Sequence, residues 1–81
     1  HDDTILQQLK EARIVVETGT ARLAAETRRE ADLDRLRDIL ARQLLARHDP
    51  AEFMRRDGDL HAAIAGISGN VVLSSAVRAG F

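Results

Sequence analysis

Phe53-Met54-Arg55-Arg56-Asp57-Gly58-Asp59-Leu60-His61-Ala62-Ala63-Ile64-Ala65-Gly66-Ile67 decides how this chain is read. Phe53, Leu60, Ile64 and Ile67 recur at helical spacing and define one apolar stripe. Asp57 and His61 project into that stripe, because residues four apart on a helix lie one above the other. The stripe is the face expected to be buried. A carboxylate there costs roughly several kcal/mol unless it is hydrogen-bonded, paired or bound to a cation. The stretch thus predicts a helix and, on its inner face, a polar pair that needs partners.

Upstream, His48-Asp49-Pro50-Ala51-Glu52 reads as a stop followed by a new start. Asp49 can cap, Pro50 suits the first helical position, and Glu52 completes an arrangement like a capping box. Downstream, Ser68-Gly69-Asn70 ends the helix, with Gly69 suited to a left-handed turn and Asn70 to the N-cap of the next segment. The helix is therefore expected from Pro50 to Ile67, followed by a fourth over Val71 to Phe81. That last segment presents Val72, Leu73, Ala76, Val77 and Phe81 as an apolar surface.

The first helix is expected over Asp3 to Thr27. Its apolar or small positions are Ile5, Leu9, Ala12, Val16, Gly19 and Leu23, and Gly19 either permits close packing or marks a bend. Thr27-Arg28-Arg29-Glu30 separates it from a second helix over Ala31 to Arg47, whose face is Leu33, Leu36, Leu40 and Leu44. A hairpin of these two helices is expected. The fold class is all-α, an antiparallel helical bundle.

Composition narrows the function classes. Eighty-one residues form at most one small domain, and a chain this short buries only about 60% of the surface it exposes when unfolded. No cysteine is present, which excludes disulfides and thiolate metal sites. Twelve basic and thirteen acidic residues are interspersed to a net charge of −1, so no basic face for phosphates stands out. Two Phe and no Tyr or Trp leave no stacking platform for single strands. No apolar run of about 18 residues exists, and His1-Asp2-Asp3 is unlike a basic signal-peptide start, so the expectation is a cytoplasmic protein with no membrane contact.

Asp57 and His61 admit two readings. A carboxylate and a neutral imidazole at this spacing can meet one divalent cation, but a metal centre usually takes three protein ligands. His1, at the chain end, and His48, in a polar loop, are the only other histidines. The alternative is an Asp-His pair held within the bundle or at its rim. Arg13 sits beside the stripe of the first helix, where its planar fork could bind a carboxylate, or it could pair with Glu17 four residues on. Ser68, Ser74 and Ser75 have no histidine at a recognisable spacing, and no glycine-rich phosphate loop is present. Enzyme activity is not expected.

Glu11-Ala12-Arg13 with Glu17, then Ala21-Arg22-Leu23-Ala24-Ala25, Asp57-Gly58-Asp59-Leu60-His61 and Ser68-Gly69-Asn70-Val71-Val72-Leu73 are similar, in order and spacing, to the effector-binding FCD domain of the FadR branch of GntR-type bacterial transcription regulators. The resemblance covers nearly the whole chain. It implies an antiparallel bundle of six or seven helices in the intact domain, of which this chain resembles about the first half. In that family a winged helix-turn-helix, absent from these 81 residues, precedes the domain and contacts DNA. The domain forms a homodimer, and a small organic acid enters the bundle.

Many members hold a divalent metal, commonly zinc or nickel. The Asp and His of a DxxxH element bind it together with two histidines from later helices. By resemblance Asp57 and His61 are metal ligands and Arg13 holds the effector's carboxylate, with Asn70 a second candidate effector contact. Leu60 stands where the family usually has phenylalanine. The competing expectation is a small helical oligomerisation or adaptor module in which Asp57, His61 and Arg13 only pair within the bundle.

Overall fold

A computed structural model describes residues 2–81, and His1 lies outside the described residues. Four helices follow in order: α1 Asp2–Thr27, α2 Glu30–Leu45, α3 Pro50–Ile67 and α4 Val71–Arg78. The fold is all-α.

Local chemistry sets the boundaries. At the start of α2, the Asp32 carboxylate accepts a hydrogen bond from the Arg29 backbone N–H at 2.8 Å. Asp49 caps α3 by accepting from the Glu52 N–H at 3.2 Å, with Pro50 in the first turn. Asn70 caps α4 by accepting from the Leu73 N–H at 3.0 Å. Each such cap contributes about 1 kcal/mol. Gly69, at φ +71°, supplies the left-handed residue after α3.

Two ends fall short of the sequence expectation. α2 stops at Leu45 rather than Arg47, because the Ala46 and Arg47 N–H groups turn back onto the Gln43 and Leu44 carbonyls and the Asp49 N–H meets that of Ala46 just beyond the helix. α4 stops at Arg78 rather than Phe81. Gly80 adopts φ +105°, and its N–H meets the Val77 carbonyl at 3.0 Å while the Phe81 N–H meets that of Ala76 at 2.9 Å. This pair of bonds is a Schellman motif, closed by the glycine that best tolerates the left-handed conformation.

α3 is the hub, packing against α1, α2 and α4, while α4 also meets α1. The expected α1–α2 hairpin does not form, since those two helices do not touch. Instead they flank α3 and leave an apolar cleft between them, lined by Ala24, Leu33, Leu36 and Ile64 among others. Thr27 ties the end of α1 to the end of α3, its hydroxyl lying 2.8 Å from the Ile67 carbonyl and 2.9 Å from that of Leu23. α1 therefore runs alongside α3 in the same direction, and α2 and α4 run against it.

The helices form little more than one layer. The extents are 44 × 32 × 16 Å, and a helix with its side chains is about 10–12 Å across. The accessible surface is 6082 Å², where a compact monomer of 8.9 kDa would show about 4,800 Å². The radius of gyration, 13.7 Å, likewise exceeds the ~11.7 Å of a compact chain of this length. Among the described residues, a layer this thin buries mainly small side chains where helices touch, Thr20 and Ala24 of α1, Ala63 and Ala65 of α3, and Ser68 after it, with Gln43 of α2 the larger exception.

The expected stripes are accordingly only partly covered. Residues 3–15 of α1 are all exposed, Ile5 and Leu9 among them, and so are Leu40 and Leu44 on α2. Phe53, Leu60, Ile64 and Ile67 are half-buried. Gly19 lies within an unbroken helix, and a methyl group added there would meet nothing within 4 Å, so neither a bend nor close packing requires it.

Candidate functional site

The α3 face that carries Asp57 and His61 turns toward α1 and the end of α4. Its Asp57 Oδ2 lies 3.3 Å from His61 Nε2. The other oxygen, Oδ1, accepts a hydrogen bond from Gln43 Nε2 of α2 at 3.1 Å. The pair is not fully buried as its place in the stripe suggests: the two side chains are 36% and 34% exposed, at the rim of the layer. Solvent and Gln43 together meet the requirement that a polar pair on an inner face imposes.

Arg13 reaches the same rim. It faces Glu17 across 3.7 Å, one helical turn on, with its own side chain 52% exposed. An ion pair so open to water contributes a few tenths of a kcal/mol, roughly, and leaves the guanidinium available. Arg13, Asp57 and His61 line one pocket of about 170 Å³, together with Glu17, Gly58 and, from the end of α4, Val77 and Phe81. A second cleft of about 400 Å³ adjoins it and shares Glu17, His61 and Val77. Three of the four candidate residues are thus gathered from two helices far apart in sequence.

Asn70 is not among the residues lining either pocket. Its side-chain oxygen is engaged at the N-cap of α4. That helix in turn carries Val77 into the walls of both pockets.

As a metal site the arrangement supplies part of a donor set. Carboxylate and imidazole suit a borderline divalent ion such as zinc or nickel, and both residues line the same pocket. Among the described residues no group of three such ligands comes together. His48 lies in the exposed turn after α2. The residues fit a divalent ion as two of its ligands.

Gln43 is the member of the site that sequence reasoning missed. It is 5% exposed, the one buried residue of α2 among those described. A signal was present. Gln43 stands seven residues after Leu36 and three after Leu40, the flank of the leucine stripe that should face a neighbour, yet it is polar.

The opposite face of α3 is different in kind. Arg56, Asp59, Ala63 and Gly66 form the floor of a wider groove of about 510 Å³, whose sides are Arg35 and Arg42 of α2 and Arg78 of α4. Arg42 pairs with Asp38 at 3.2 Å, and Arg56 with Glu52 at 2.8 Å.

The sequence profile of the FCD domain matches residues 8–80. The chain belongs to the FCD domain family. Over 68 residues it is 40% identical to the HTH-type transcriptional regulator LutR of Bacillus subtilis (strain 168), an overlap covering 84% of this chain and 31% of LutR. The FCD chain thus spans about a third of the length of that relative. No solved structure matches it significantly. Among the described residues of this FCD chain, no helix is long and apolar enough to cross a membrane.

Proposed function

We propose that the chain is the first part of the effector-sensing domain of a GntR-type transcription regulator of the FadR branch, acting in the cytoplasm. The observation that carries this reading is the convergence of Arg13, Asp57 and His61 on one small pocket in a chain of the FCD family. In this reading Asp57 and His61 are two ligands of a divalent metal, zinc or nickel, and the family's later histidines complete the set. The metal supplies a positive centre that polarises and fixes an acidic ligand.

Arg13 meets a carboxylate of that ligand through its planar fork, exchanging its weak bond to Glu17 for a charge-assisted pair. The pocket of about 170 Å³ and the adjoining cleft of about 400 Å³ leave room for a small organic acid. Asn70 serves the pocket indirectly, by starting α4 in register so that Val77 and Phe81 close one wall. DNA contact belongs to a winged helix-turn-helix outside these residues, which explains why charges of both signs are interspersed here. Effector binding acts by preferring one arrangement of a homodimer, and shifts the equilibrium only by its difference in affinity between arrangements.

The exposed large apolar side chains support self-association. Ile5, Leu6 and Leu9, neighbours on one side of α1, are all exposed, a surface of the kind that marks interfaces. It would serve equally in a helical oligomerisation module, so the ligand experiment is the one that separates the two readings.

That experiment is calorimetric titration of short mono- and dicarboxylates into the intact regulator with and without zinc, using Arg13→Ala and His61→Ala as variants. The expected result is metal-dependent binding of at least one acid, weakened roughly ten- to a hundredfold by Arg13→Ala, as loss of about 1.5–3 kcal/mol from a charged hydrogen-bonded pair implies. A folded intact protein that binds neither metal nor any acid would leave the oligomerisation module as the function.

A further inference from the structure

Gln43 has no role in the reading above, and its position calls for one. It is 95% buried on α2, in a helix whose leucines Leu40, Leu44 and Leu45 stay exposed. A buried carboxamide is costly unless its polar atoms are matched, and no buried side-chain nitrogen or oxygen among the described residues lacks a partner. The bond that the structure gives Gln43 is the one from Nε2 to Asp57 Oδ1, 3.1 Å long. A leucine would have continued the stripe at this flank.

We infer that Gln43 is the positioning residue of the candidate metal site: it holds the Asp57 carboxylate so that Oδ2 is presented to a cation. The inference rests on the proposed role of Asp57 and His61 as ligands. Two features of the donor matter. It engages Oδ1, so the carboxylate is held with its other oxygen, the one that already faces His61 Nε2 at 3.3 Å, turned to an ion. It is also neutral. A lysine or arginine in its place would neutralise Asp57 and compete with the metal, whereas an amide fixes the carboxylate and leaves its charge intact.

The bond also reaches across a helix boundary. Asp57 belongs to α3 and Gln43 to α2, so a cation drawn to Oδ2 pulls on a carboxylate anchored in α2. Occupancy of the site is thereby coupled to the α2–α3 contact and not confined to α3.

Zinc affinity of the intact regulator, in which the later histidines complete the donor set, measured by competition with a chromogenic chelator, tests the inference. The variants are Gln43→Met, which keeps volume and removes the donor, Gln43→Asn, which keeps the amide but falls short of Oδ1, and His61→Ala. Gln43→Met is also made in an Asp57→Asn background. Both Gln43 variants are expected to retain the helical circular dichroism and to bind zinc about 10- to 100-fold more weakly, the usual effect of losing a partner that orients a ligand. In the Asp57→Asn background Gln43→Met should change nothing further.

Equal zinc affinity in wild type and Gln43→Met overturns the inference while leaving the ligands in place. An equal loss in both backgrounds also overturns it, since a purely structural role acts whatever stands at 57. No zinc binding by wild type overturns the ligand reading and the inference with it. A metal-free check is the nitrogen-15 spectrum, where the Gln43 side-chain amide signals are expected to move on Asp57→Asn. If they stay fixed, the hydrogen bond is not formed in solution and the inference fails.

Discussion

Gly69→Ala and Gly19→Ala make the same chemical change and are expected to act in opposite directions. Gly69 adopts φ +71° and Gly19 lies inside the continuous helix α1. At neither would the new methyl group meet an atom within 4 Å, so packing drops out and backbone conformation alone decides the sign. An L-residue in the left-handed region costs roughly 1–2 kcal/mol. Replacing glycine by alanine in a helix interior contributes about 0.5–1 kcal/mol.

The two variants should therefore differ by about 1.5–3 kcal/mol, which for a domain of this size separates their melting temperatures by roughly 6–24 °C. Thermal unfolding followed by circular dichroism at fixed protein concentration is the assay, with urea unfolding as a check that the slope is unchanged. If both variants melt on the same side of wild type, α1 is not continuous through Gly19, or α3 does not end on a left-handed residue, and the placement of those elements is wrong.

Four further outcomes follow from the geometry. Asn70→Ala should destabilise the fold by about 1 kcal/mol through loss of the α4 cap, read from urea midpoints. Thr27→Val, which removes the hydroxyl joining α1 to the Ile67 carbonyl, should cost about 0.5–1.5 kcal/mol and speed amide exchange near that junction. Gly58→Ala should stabilise by about 0.5–1 kcal/mol, as at any open helical position, yet weaken acid binding by calorimetry because its methyl enters the pocket that Gly58 lines. Sedimentation velocity should show concentration-dependent self-association, and a monomer at all concentrations would contradict the role assigned to the exposed apolar side chains.

Helix limits were legible wherever the signal was local. Asp49-Pro50 and Ser68-Gly69-Asn70 hold their backbone partners within three residues, and the structure places caps at both. Gly80 carried a signal of the same kind, and apolar periodicity running through to Phe81 overrode it. Neighbour relations were not legible, because they depend on which helix supplies the other side of a stripe. Leu33 and Leu36 read as facing α1 in a hairpin, and the helical hub proved to be α3.

The half-buried state of Asp57 and His61 has the same origin. Spacing places them on the inner face of α3, but how much water reaches that face depends on the thickness of the layer. Arg13 could be matched to Asp57 through family pattern alone, since 44 residues separate them and nothing local connects the two. Gln43 was legible only as an anomaly, a polar side chain beside a leucine stripe. Its partner lies on another helix.

In a layer one helix deep, α3 has no hidden side. Asp57 and His61 look out of one flank, Arg56 and Asp59 out of the other, and the peptide cylinder between them is the whole wall. A roll of α3 about its own axis swings the two flanks in opposite senses. A ligand that turned α3 from one surface would therefore also shift the arginine-lined groove behind it, as a key turned on one side of a door moves the bolt on the other. Any molecule resting in that groove would register what has entered the pocket without touching it.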